Sequence, residues 1–73
     1  MDLIEGWLVV RCVRVSWHDR QLIEPWCRRH LGERLQDWWL HAGWDRGPRM
    51  GRRYVMLMVR DPEHHTLATL TWA

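Results

Sequence analysis

The chain has 73 residues, seven Trp, two Cys and a formal net charge of +2. That length makes a single domain, residues 1–73, near the lower limit for a self-sufficient core, and two cysteines give no disulfide framework to staple it. The small charge bias argues against a dedicated nucleic-acid binder on electrostatics alone, and no apolar run approaches the roughly 20 residues of a membrane span.

Large side chains must therefore hold the fold. Each tryptophan can bury roughly 150–250 Å², and Trp is also a frequent interface anchor. All eleven basic residues are Arg, which supplies planar, permanently charged forks suited to carboxylate or phosphate. The two thiols and the lack of a visible secretory signal point to a reducing, cytoplasmic setting.

In chain order, Met1 to Gly6 reads as a short lead-in. Trp7 to Trp17 is rich in β-branched residues and free of Gly and Pro, which predicts a strand. Ser16, or else Asp19, is placed to cap the next helix. Ile23, Cys27 and Leu31 recur at four-residue spacing between Asp19 and Leu31, the pattern of an amphipathic helix. Pro25 sits comfortably only in a first turn, so it argues for a start near Glu24 or a kinked first turn.

Two readings compete after Leu31. The helix can run on to Ala42, with Gly32 inside it at a cost of about 1 kcal/mol. Alternatively Gly32 ends the helix in the left-handed position and Arg34 to His41 forms a second strand, which is the preferred reading. Ala42 to Gly51 reads as a loop on its Gly and Pro content. Arg52 to Arg60 is a strand whose faces, Val55, Leu57, Val59 and Tyr54, Met56, Met58, are both apolar. Asp61-Pro62-Glu63 is a helix start that would put His65, Ala68 and Trp72 on one face. A hairpin favoured by Thr66, Thr69 and Thr71 is the competing reading.

Two stretches carry a resemblance. Trp26, His30-Leu31-Gly32-Glu33-Arg34 and Asp37-Trp38, then Tyr54, Val59-Arg60-Asp61-Pro62-Glu63, Thr66-Leu67 and Leu70-Thr71-Trp72, resemble a family of small, mostly uncharacterised tailed-bacteriophage proteins. Leu35 departs from it where the family prefers Gly; His64 and His65 stand where it has Asp-Ala, and Ala68 replaces an aromatic. The resemblance implies a phage or prophage origin, a helix ended by Gly32 and a helical C-terminal segment. It supplies no activity.

Strand, helix, strand, strand, helix is a small two-layer α+β βαββα arrangement. It is a split βαβ unit like a ferredoxin-like fold without its last strand, with helices on one face of a three-stranded sheet. That architecture leaves one sheet face open, yet both faces of the last strand are apolar, where a solvated face would be polar. Tyr54, Met56 and Met58 are thus candidate partner contacts, with cover by irregular segments as the bland alternative. Arg46, Arg49, Arg52 and Arg53, with Trp44, form the candidate polar rim for phosphate or an acidic surface, against the plainer reading of a solvated loop. Gly32, Arg34, Asp37, Trp38, Trp26 and Trp72 are expected to be structural, Arg34 and Asp37 as an ion pair beside the Gly32 turn.

Nothing points to catalysis. There is no nucleophile–base pair, no paired carboxylates and no phosphate-cradling glycine loop. His64-His65 and His18-Asp19 lack the converging ligand spacing of a metal site, so no metal or cofactor is expected. Two functions remain. One is a phage accessory protein in the host cytoplasm that binds a host protein or protein–nucleic-acid complex stoichiometrically, in the manner of anti-CRISPR inhibitors of bacterial defence. The other is a nucleic-acid-binding module built on the Arg-rich loop and the aromatic face. A homodimer burying its open sheet is the blandest outcome.

Overall fold

The computed structural model describes residues 3–4, 6–45 and 52–73, the side chains of residues 3, 4, 45 and 52 excepted. Its three long strands are β2 (Trp7–Ser16), β3 (Trp38–Asp45) and β4 (Arg52–Val59). A two-residue strand, β1 (Leu3–Ile4), precedes them. Helices α1 (Glu24–His30) and α2 (Pro62–Trp72) complete the set, with a 3-10 segment over Trp17–Leu22.

The sheet order is β1-β2-β4-β3, antiparallel at every pairing. Strands β2 and β3 therefore run parallel with β4 inserted between them, which is the split βαβ arrangement. The lead-in is not idle: through Gly6, at φ 86°, it folds back and pairs Leu3 with Leu8 and Ile4 with Trp7. It takes the edge that the last strand occupies in a ferredoxin-like fold.

Both helices pack on one face. The β-side of this core is Val10 and Cys12 from β2, Val55, Leu57 and Val59 from β4, and Trp38 from β3. Ile23, Cys27 and Leu31 close over it from the α1 side, as their four-residue spacing requires, and Ala68 does so from α2. Helix α2 packs mainly against β2 and also touches β4. It starts where Asp-Pro-Glu predicts, with the Asp61 carboxylate accepting the Glu63 amide at 2.8 Å. Helix α1 starts at Glu24 with Pro25 in its first turn, the late start that Pro25 favours. Ser16 makes no cap hydrogen bond; its hydroxyl donates instead to Asp19 at 3.1 Å.

Two boundaries differ from the sequence reading. The second long strand begins at Trp38, not Arg34, and it continues through Ala42–Asp45, which composition marks as loop. The first shift comes from a turn over residues 33–37. Gly32 ends α1 at φ 109°. The Asp37 carboxylate then accepts the Glu33 amide at 2.9 Å, and Asp37 N–H donates to the Glu33 carbonyl at 2.8 Å. Any Cβ on Gly32 would overlap that carboxylate. Leu35 crosses the turn at φ 69°, where a branched L-residue is strained by about 1–2 kcal/mol.

Leu35 is 68% exposed, so its side chain gives little back. Leu35→Gly is expected to stabilise the fold by about 0.5–1 kcal/mol after the extra freedom of the unfolded chain is subtracted. In a domain of this size that is a rise of roughly 3–6 °C in Tm. Thermal denaturation beside Leu35→Ala, which keeps the strain, checks it; a glycine variant melting below wild type would refute it.

Candidate binding face

The face turned away from the helices is built by strand alternation. Strand β2 contributes Trp7, Val9 and Arg11, β4 contributes Tyr54, Met56 and Met58, and β3 contributes Trp39, His41 and Gly43. The register aligns them in rows: Val9, Met58 and Trp39 across one, Arg11, Met56 and His41 across the next.

The rows differ in exposure. Met58 is 0% exposed and Val9 is buried, because Trp7 and Trp39 meet edge to face above them, ring centroids 6.2 Å apart. Arg60 extends over the Trp7 ring, its guanidinium 4.3 Å from the ring centre, a cation–π contact. His41 stands 5.7 Å from Trp39. Tyr54 lies across Gly43 so closely that a Cβ there would sit 2.5 Å from the ring. This is why Gly43 belongs in a strand: it provides the slot that the tyrosine fills. Among described residues, no helix or strand packs over this face, and Trp7, Trp39, Tyr54 and Met56 are left half-exposed.

The residues singled out from sequence do not form one patch. Tyr54 and Met56 are on the open face. Met58 is too, but it is sealed beneath two tryptophans and offers no surface. Trp44 and Arg53 continue the opposite row, that of Ala42 and Val55, at the far end of the β3–β4 hairpin. There Arg53 stacks on Trp44 at 4.7 Å and the indole remains 55% exposed. Arg46 and Arg49 lie outside the described residues, as does the side chain of Arg52. Sequence reasoning missed Trp39 and His41 as members of the face. Both become visible once the strand is known to start at Trp38, since parity then pairs them with Met58 and Met56.

The other tryptophans hold the opposite side. Trp38 is 0% exposed and its indole N–H donates to the Gly32 carbonyl at 3.0 Å, tying the strand start to the helix end. Arg34 makes a bridge to Trp38 through its backbone. Its guanidinium forms no ion pair with Asp37 among the described residues, because the Asp37 carboxylate is turned to the Glu33 amide. Trp26 packs edge to face on Trp72 at 5.9 Å and tilts against His30 at 5.0 Å. With Pro25 and Arg29, Trp26 and His30 line a shallow depression of about 450 Å³. The Trp72 indole N–H is enclosed without a hydrogen-bond partner among the described residues.

Compared with known proteins, the chain matches no family model, no curated protein and no solved structure. Among the described residues no three His, Cys, Asp or Glu side chains are grouped to hold a metal ion. Cys12 and Cys27 are both buried and free, and burial pushes each thiol up to about 12. Such thiols are inert core groups rather than nucleophiles. No helix among the described residues is long and apolar enough to cross a membrane.

Proposed function

We propose that this chain acts by stoichiometric binding, docking its open sheet face on an acidic surface of a host protein or protein–nucleic-acid complex. One observation carries the reading. The face presents half-exposed Trp7, Trp39, Tyr54 and Met56, with the Arg60 guanidinium over the Trp7 ring. Aromatic and Met anchors with an arginine rim are the composition of a protein interface. The resemblance to small tailed-phage proteins adds the setting: a bacterial cytoplasm, with inhibition of a defence system as the concrete version of the activity.

The test introduces negative charge on the face without touching its buried layer. Met56→Glu combined with His41→Glu should weaken capture of the partner from bacterial lysate, and titration of that purified partner at 1:1 stoichiometry, at least tenfold. Circular dichroism should be unchanged. Equal binding by the variant and wild type would place the interface elsewhere.

A second reading is supported by the guanidinium of Arg60 beside the Trp7 ring, since bases stack on such aromatic and cationic platforms. It requires binding of single-stranded oligonucleotides that weakens steeply with salt. Oligonucleotides that fail to bind at low salt would remove it.

A further inference from the structure

The two edges of the sheet are treated differently. The β2 edge is guarded three times over. Strand β1 pairs with its first residues, the His65 ring donates from Nε2 to the Val9 carbonyl at 3.1 Å, and the register shifts between Cys12 and Ser16. Among the described residues the β3 edge has one guard, at its start, where Leu35 N–H donates to the Trp38 carbonyl at 2.6 Å.

That contact also fixes which backbone groups face outward. The carbonyl of Trp38 points away from β4, so by strand alternation the N–H and C=O groups of Leu40, Ala42 and Trp44 do as well. No other described strand lies beyond them. From Trp38 to Trp44 the strand has no Pro, no Asp, Glu, Lys or Arg, and its pairing with β4 runs without a bulge. Those are the devices by which proteins keep an edge from adding another strand.

We propose that the outer edge of β3 pairs antiparallel with the same edge of a second copy, about a twofold axis at Ala42. The occupant is argued from self-complementarity. Centring on Ala42 sets Leu40 opposite Trp44 of the second copy, and Trp44 opposite its Leu40, with about six N–H···O bonds across the junction. Leu40 is half-buried and Trp44 is 55% exposed, and both project to the helix side. Each indole thus gains an aliphatic neighbour across the axis. No like charges meet there, because the only titratable side chain between Trp38 and Trp44 is His41. The interface is isologous, as a closed dimer demands. It leaves the open faces uncovered and joins them into one wider platform, so it stands independently of the binding proposed above.

Sedimentation of the full chain over a wide concentration range tests it, together with hydrogen exchange. The expected result is a monomer–dimer equilibrium in which the Leu40, Ala42 and Trp44 amides exchange more slowly as concentration rises. Ala42→Pro removes the central donor, and proline is tolerated on an edge strand where the N–H faces outward. It should weaken the dimer at least tenfold while circular dichroism stays unchanged. Should that variant fail to fold, Trp44→Lys at the exposed end of the strand decides by the same readout. A monomer at every concentration with fast exchange at those amides overturns the proposal. So does a dimer that persists unchanged in a folded variant.

Discussion

Trp38→Ala is expected to remove a large share of the folding stability, about 3–5 kcal/mol, and to bring the urea midpoint down sharply. The side chain is the largest of those that are fully enclosed, and its indole holds the Gly32 carbonyl. Truncating a buried Trp costs roughly 3–5 kcal/mol through lost burial and the cavity left behind. A domain of this size has about 4–11 kcal/mol in total. The variant also strands a carbonyl at the end of α1, so the Asp37 turn loosens with the core. Trp38→Phe keeps most of the volume and loses the hydrogen bond, and should remain folded with a lower midpoint. Urea denaturation of the two variants separates the effects, and an alanine variant within 1 kcal/mol of wild type, roughly the scale of an ordinary substitution, would show that the site collapses around the gap.

Alkaline pH should destabilise the protein through its two thiols. Burial raises both Cys12 and Cys27 from 9.0 to about 12; nearby Cys12 and Glu24 add to the effect at Cys27, while a backbone hydrogen bond with Leu57 partly opposes it at Cys12. Below pH 9 both states hold the protons and the full stability is present. As pH rises from 9 toward 12 the unfolded chain releases them and the folded chain does not, so stability falls by up to about 1.4 kcal/mol per thiol per pH unit. By pH 10 the loss is roughly 2–3 kcal/mol for the pair. Denaturation midpoints measured from pH 8 upward test this against Cys12→Ala/Cys27→Ala, which should start lower and decline less steeply. Parallel slopes would acquit the thiols.

Much of the architecture is legible in particular residues. The β-branched runs of β2 and β4 mark strands, Pro25 and Gly32 bracket α1, and Asp61-Pro62-Glu63 starts α2. Strand β3 is harder because its limits depend on distant partners. Asp37 holds the preceding turn through a backbone amide, and Gly43 is a strand residue only because Tyr54 of β4 fills its slot. The candidate site is legible to the same extent. Alternation in β4 reveals a second apolar face, but the sealing of Met58 needs Trp7 and Trp39 from two separate strands. The split of Trp44 and Arg53 from Tyr54 comes from a register that local pattern does not contain.

The interleaved strand order also governs how the chain must assemble. Strand β4 is hydrogen-bonded on both sides, to β2 and to β3, yet it is the last of the three long strands to leave a ribosome. Until Arg52–Val59 has emerged, neither earlier strand has its central neighbour, and the nascent polypeptide keeps two oily ribbons unzipped. Closing Cys12 onto Val55 spans most of the sequence, the kind of distant pairing that slows folding. The sheet can therefore form only after Arg52–Val59 has left the ribosome, and the interval before that is when the nascent chain most needs chaperone shelter.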